Sequence, residues 1–264
     1  GKTTTLKLLN GLVFPTAGRV WVLGRELPDV GIKARVGFLP ENPYFYEYLT
    51  GWEFLLFYGR LFGLRGKGLR ERVSGLLAQV GLESSADLQL RKYSKGMLQR
   101  IGLAQALIND PMLVILDEPM SGLDPIGRRE VRDLILRLKE QGKTILFSSH
   151  IIPDVEDLCD RVGILVGGRL VKVGKLEEML QVEIESVEVT ASGVSDGSLE
   201  LIRRWASKPL VRSGDQVLIS VRDEETLQEV LKFLVEAKAR VHSVLPHRRG
   251  LEEYFLRQLR EQGR

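Results

Sequence analysis

Cysteine is nearly missing from this chain: Cys159 stands alone among 264 residues. A single thiol excludes an internal disulfide, so the fold must rest on its apolar core, and a reducing compartment suits it. Long apolar runs are missing as well. None approaches the roughly 20 residues a membrane helix needs, and nothing at the start reads as a signal peptide. Any work at a membrane is therefore expected from the cytoplasmic side, through a partner. A charge excess is missing too. Lys and Arg number 38 against 35 Asp and Glu, with both signs interspersed, so no nucleic-acid partner is expected. The length suffices for one large domain and one small one, each with its own core.

What the chain does have is concentrated between residues 93 and 124, YSKGMLQRIGLAQALINDPMLVILDEPMSGLD. Ser94 and Gly96 stand where a helix begins, and a helix start offers unpaired N–H groups and the positive end of a dipole to an anion such as phosphate. Met97, Ile101, Ala104 and Ile108 recur at helical spacing and read as the stripe that packs this helix onto the body. Pro111 closes the helix. Met112 to Leu116 is an unbroken apolar run, the pattern of a parallel strand covered on both faces. It ends on Asp117 and Glu118. Two adjacent carboxylates at the end of a buried strand are costly unless a cation or hydrogen bonds compensate them, and ligands of open α/β sheets gather at that edge. The plain reading, acids capping the next loop, loses ground to a functional one once the flanking helix start and Ser121-Gly122-Leu123-Asp124 are counted.

The sequence opens Gly1-Lys2-Thr3-Thr4-Thr5 and runs into Leu6, Leu8 and Leu9, a phosphate-loop ending that enters a helix. Gly142-Lys143-Thr144 repeats the tripeptide but leads into the strand-like Ile145-Leu146-Phe147, so there it reads as a turn.

Together these stretches resemble the ATP-binding subunits of ATP-binding cassette (ABC) transporters. YSKGM stands where the family carries LSGGQ, LVILDEP where it carries its Walker B strand, and SGLD where it carries its D-loop. Lys95 and Met97 differ from the commonest signature. The resemblance implies an α/β fold, a P-loop NTPase cassette spanning residues 1–181 with a helical subdomain at about 44–110. It implies ATP and Mg2+ as cofactors. Gly1, Lys2, Thr3 and Thr4 would bind nucleotide, with Lys2 on the β and γ phosphates. Thr3, Asp117 and Glu41, which replaces the family's usual glutamine, would attend Mg2+. Glu118 would act on the attacking water, with His150 as the switch histidine. Successive strand residues point to opposite sides, which is why Asp117 and Glu118 are given separate tasks. Ser94 and Gly96 would face the ATP of the opposite subunit, and Asp124 would serve communication between subunits. A second copy or a homologous cassette and a pair of transmembrane permease subunits are the implied partners, at the inner face of the cell membrane.

The resemblance also implies, upstream of Gly1, a strand, an adenine-stacking aromatic and the rest of the glycine loop. Hydrogen bonds to charged groups are worth about 1.5–3 kcal/mol each, so a chain without two of them is expected to bind nucleotide on the order of a hundredfold more weakly.

Between the two motif regions, Arg19 to Leu23 and Ala34 to Leu39 read as strands. Eight aromatics then crowd residues 44–58. Trp52, Leu55, Leu56 and Gly59 share a helical face and read as core. For Tyr44, Phe45, Tyr46 and Tyr48, on the loop before it, docking against a membrane subunit and plain core packing are both open. Gly63 to Gly68 reads as a basic turn and Leu69 to Val80 as a second helix. Further on, Ile126 to Leu138 reads as a helix, Thr144 to Ser148 as a strand ending at Ser149-His150, and Val162 to Val173 as a hairpin. His242 and His247 read as structural. From residue 182 to 264 the order strand, helix, two strands, helix, strand, with a final helix from Leu251, fits a small α+β domain of ferredoxin-like type. Tails of this kind, with Ser243-Val244-Leu245 and Leu251-Glu252-Glu253-Tyr254-Phe255, resemble those of exporter cassettes. The rival readings are a soluble ABC ATPase outside transport and a nucleotide-sensing cassette without turnover.

Overall fold

The computed structural model describes residues 1–180 and 184–248 together with Leu251, Phe255 and Leu256, with the backbone only at 184, 185, 247 and 248. The described chain divides into two compact units, Gly1–Cys159 with Leu165–Val171, and Asp160–Ile164 with the described residues from Lys172 on.

The first unit opens with α1 (Lys2–Leu9), a short pair β1 (Trp21–Val22) and β2 (Arg25–Glu26), and one turn of helix, α2 (Val30–Lys33), capped by Asp29. Its centre is a parallel sheet of three strands: β3 (Val36–Leu39), β4 (Leu113–Asp117) and β5 (Thr144–Ser148), with β4 in the middle. The connections between them are helical: α3 (Gly51–Leu61), α4 (Gly66–Gln79) and α5 (Lys95–Ala106) join β3 to β4, and α6 (Pro125–Glu140) joins β4 to β5. Then come α7 (Ile152–Leu158) and the paired strands β6 (Arg161–Val166) and β7 (Arg169–Lys175).

β4 explains why its sequence is an uninterrupted apolar run. Ile115 packs with Leu6 of α1, Val36 and Ile32 on one face, while Val114 and Leu116 join Ile101, Ala104, Val131 and Leu134 on the other. Both faces are covered, so neither set of alternating side chains is polar. α3 starts at a full capping box: Thr50 Oγ accepts from the Glu53 amide while Glu53 accepts from the Thr50 amide.

Several boundaries differ from the sequence reading. The strand expected at Ala34–Leu39 shortens to Val36–Leu39, because the Asp29-capped turn Val30–Lys33 ends on Ala34 in helical geometry, and the strand expected at Arg19–Leu23 shortens to Trp21–Val22, with Leu23 in a turn at φ +50. Pro111 does not close α5, which ends at Ala106 before a turn through Asp110 at φ +50. Met112 lies outside β4 and is half exposed. α4 begins at Gly66, inside the segment read as a turn.

In the second unit, α8 (Leu176–Leu180) precedes β8 (Ile184–Ser192), α9 (Asp196–Ile202), β9 (Val211–Ser213), β10 (Gln216–Val221), α10 (Glu224–Glu236) and β11 (Arg240–Arg248). The strands form one antiparallel sheet in the order β11-β8-β10-β9, so the first and third of the four are central and neighbours. This is the split βαβ arrangement of ferredoxin-like folds. Val189, Ile219, Val230 and Leu234 are fully buried in its core. Of the helix expected from residue 251 on, Leu251, Phe255 and Leu256 are helical and the rest lies outside the described residues.

α5 lies close against β3 because two glycines make room. A Cβ on Gly37 would strike the Ala106 carbonyl, and one on Gly102 would stand 2.7 Å from the Leu39 side chain. Gly37→Ala forces helix and strand apart, and we expect it to cost about 1–3 kcal/mol, read from urea unfolding.

Candidate functional site

Parallel strands end at one edge, and here that edge collects the polar groups. β4 and β5 pair with Asp117 opposite Ser148. α1 is anchored by Leu6 against Ile115, and this places Lys2, one turn earlier, over the end of β4. The result is a connected group. Lys2 Nζ donates to Glu118 Oε1 at 2.6 Å, and His150 Nδ1 lies 2.8 Å from Glu118 Oε2. Ser148 Oγ donates to Asp117 Oδ1 at 2.6 Å and accepts from the Glu118 amide at 3.0 Å. Asp117, Glu118 and Ser148 are all buried.

The separation of Asp117 and Glu118 does not come from strand alternation, as the sequence reading had it. β4 ends at Asp117, and Glu118 sits in the left-handed region at φ +49, before Pro119. A non-glycine residue there costs about 1–3 kcal/mol and persists only where the surroundings hold it. Ser148, Lys2 and His150 supply that hold, and the turn closes with the Ser121 amide donating to the Glu118 carbonyl.

Burial pushes the Glu118 carboxyl up. The hydrogen bonds from Lys2 and His150, together with the charge they bring, outweigh burial and hold it below its ordinary value. α7, which follows His150, is tied down by Arg128 of α6, whose Nη2 lies 2.9 and 2.8 Å from the two oxygens of the buried Asp154.

The remaining expected residues lie in three other settings. Thr3 is partly buried and Thr4 exposed, and neither hydroxyl bonds to a described residue, while the Gly1 carbonyl accepts from Thr5 Oγ1. Asp117 receives the Ser148 hydroxyl on one oxygen, and no described residue donates to its second. Buried carboxylate and threonine hydroxyl are oxygen donors of the kind Mg2+ prefers. Glu41 is exposed and makes no ion pair or hydrogen bond with any described residue, so it is not gathered into the group. No cluster of three His, Cys, Asp or Glu suited to a metal occurs among the described residues.

Ser94 and Gly96 open α5. Ser94 caps it, its Oγ accepting from the Met97 amide at 3.2 Å, and stays exposed. No hydrogen bond joins them to the Lys2–Glu118 group. Instead, Lys95 Nζ lies over Gly122, in the space a Cβ there would take. Asp124 caps α6, accepting from the Gly127 amide at 2.7 Å. The aromatic loop divides residue by residue: Phe45 and Tyr46 pack against the core, whereas Tyr44 and Tyr48 are 85 % and 68 % exposed.

Ser148 is the residue that the sequence reading passed over. It was read only as the last position of a strand. Its signal is a hydroxyl directly after the apolar Ile145-Leu146-Phe147 of β5, opposite the acid pair if the strands are aligned.

A helix-start ammonium held against an acid at the carboxyl edge of a parallel sheet is the equipment of α/β proteins that handle nucleotide phosphates. The chain belongs to the ATP-binding proteins of ABC transporters, a family of ATPases. The sequence profile described as ABC transporter matches residues 1–121. An ABC transporter ATP-binding protein of Synechocystis sp. is 47 % identical over 265 residues, which take in 100 % of this chain and 73 % of the relative. A Nod factor export ATP-binding protein of Ralstonia nicotianae is 35 % identical, over 97 % of this chain and 81 % of its own length. Among solved structures, the dimeric structure of a post-hydrolysis state of an ATP-binding cassette with ADP and Pi is similar at a TM-score of 0.60. It is 25 % identical and covers 66 % of this chain and 80 % of that one.

Two outcomes follow from the site's geometry. Ser148→Ala leaves the Glu118 amide and one Asp117 oxygen unsatisfied, and should cost about 1–3 kcal/mol in urea unfolding; Ser148→Thr, which keeps the hydroxyl, should lose less. Because the native value of Glu118 is lowered, its ionised form stabilises the fold above the ordinary carboxylate range, and that support is lost as pH falls through the lowered value. The stability difference between wild type and Glu118→Gln should therefore narrow on acidification, as read by unfolding at a series of pH values.

Proposed function

We propose that the protein is the ATP-hydrolysing subunit of an ABC transporter, with Glu118 as the base that activates water. The observation that carries this reading is the Glu118 carboxylate held between Lys2 and His150, buried beside Asp117. Lys2 stands at the helix start, where phosphates are received. Once the β and γ phosphates draw the Lys2 ammonium away, Glu118 loses its shortest ionic contact. Burial then raises its affinity for a proton, as a base near neutral pH requires. His150 keeps the second oxygen in place. Glu118 takes a proton from water as the water oxygen bonds to the γ phosphorus, and the bond to the β-phosphate oxygen breaks, giving ADP and inorganic phosphate. Thr3 and Asp117 are the residues that would hold Mg2+, which when bound neutralises charge on the phosphate oxygens. Gly1 and Thr4 complete the contacts to nucleotide. Glu41, exposed and without a partner among the described residues, would have to turn inward to join them.

Ser94 is exposed and Gly96 partly buried at the start of α5, apart from this group, which supports a role on the ATP of a second cassette, either another copy or a homologue. The solved cassette with ADP and Pi is dimeric. Asp124, at the start of α6, would serve communication across that dimer. Residues 1–181 would form the ATP-binding domain, with its helical subdomain at about 44–110, and 182–264 an accessory domain. No helix among the described residues is long and apolar enough to cross a membrane. We place the protein at the inner face of the membrane, against permease subunits, with exposed Tyr44 and Tyr48 as contacts. The Nod factor export relative supports export as the direction.

Glu118→Gln should lower ATP hydrolysis by roughly 100- to 10,000-fold while leaving nucleotide binding and ATP-dependent dimerisation intact, measured by phosphate release, titration and size-exclusion chromatography. Hydrolysis at the wild-type rate would overturn the assignment.

A further inference from the structure

Away from the Lys2–Glu118 group, α3 and the start of α4 enclose a cleft of about 590 Å³. Its apolar lining is Trp52, Leu56 and Leu69, and the arginines Arg60, Arg65 and Arg70 line it as well. None of the three guanidinium groups has a carboxylate or hydrogen-bond partner among the described residues, although most other arginines of the first unit are paired: Arg72 with Asp110, Arg100 with Glu130, Arg128 with Asp154, Arg132 with Asp157. Nearby acids are already engaged. Glu53 serves the Thr50 capping box, and Glu71 pairs with Lys67. Gly66, also in the lining, is the first residue of α4, a helix with no side-chain cap and no acid in its first turn. Among the described residues nothing neutralises these three cations, and a concavity lined by one sign of charge favours an anion.

We propose that this cleft binds a phosphoester carrying an apolar or aromatic body. Guanidinium forks match phosphate oxygens in planar geometry and are held on side chains that can converge from two helices. Trp52 and Leu56 offer the ring or chain a surface to lie on. The volume lies within the range of small-molecule sites. The site is distinct from the nucleotide group, since none of its lining residues takes part there, and it does not depend on the ATPase reading.

The test uses 1-naphthyl phosphate as probe, titrated calorimetrically into the protein with saturating ADP present to occupy the nucleotide site. Saturable binding is expected, together with at least tenfold weaker binding by an Arg60→Gln, Arg65→Gln, Arg70→Gln variant and none of uncharged 1-naphthol. The arginines are exposed, so the variant should fold, unfold at the same or a higher temperature in phosphate-free buffer, and bind ADP as wild type does. Sedimentation with phosphatidylglycerol vesicles, against phosphatidylcholine vesicles, separates the two sources of a phosphoester: arginine-dependent retention identifies a lipid headgroup, and binding of the soluble probe alone a free metabolite. Arginine-independent binding, or no binding to either, would overturn the proposal.

Discussion

Everything at this site depends on two carboxylates being buried side by side at the end of β4. An unpaired ionised acid in such surroundings is prohibitively costly, and here each receives its own compensation. Asp117 takes the Ser148 hydroxyl, and Glu118 takes Lys2 and His150. Ser148 also receives the Glu118 amide, so one buried hydroxyl ties the two adjacent residues to the neighbouring strand. The parallel sheet makes this possible, because its register sets Ser148 opposite Asp117 and its covered faces keep water from the pair.

Under the proposed mechanism the same network gives Glu118 two states. With Lys2 in place, the carboxyl is held ionised against the pull of burial. Under the proposed mechanism, phosphate competes for that ammonium, and the balance between burial and pairing shifts toward proton uptake. A paired, weakly basic carboxylate at rest and an active base can thus be one residue, with the difference made by which anion the Lys2 ammonium meets.

Local capping does much of the remaining work. Ser94, Asp124, Thr50 and Asp29 each satisfy an orphan amide at a helix start. At Ser94 and Asp124 the capping residue is also the one proposed to act between subunits. Both can serve, since a cap uses one acceptor atom and fixes the orientation of the rest. Lys95, lying over Gly122, brings the start of α5 and the Ser121–Asp124 turn together within one chain.

The core strands, the helix stripe of Met97, Ile101 and Ala104, the cap at Ser94, the strand-to-His150 passage and the split βαβ order of the second unit were legible in the sequence. Each is written in short-range periodicity or in a residue type whose local hydrogen bonding is nearly obligatory. The boundaries at Ala34, Pro111 and Leu69 were not, since an Asp29 cap, a left-handed Asp110 and an early α4 start are settled by a few backbone angles that many residues tolerate. Nor could the sequence separate Phe45 and Tyr46, which are partly buried against the core, from Tyr44 and Tyr48, which are exposed, because on a loop no period says which ring points inward. The chain's own order of residues determined that an acid pair would follow a buried strand and that a lysine would start a helix. Only the tertiary structure decided that Lys2, Glu118, Ser148 and His150 meet. Their meeting depends on strand register and on Leu6 seating against Ile115, contacts between residues from 31 to 116 positions apart that no local pattern encodes.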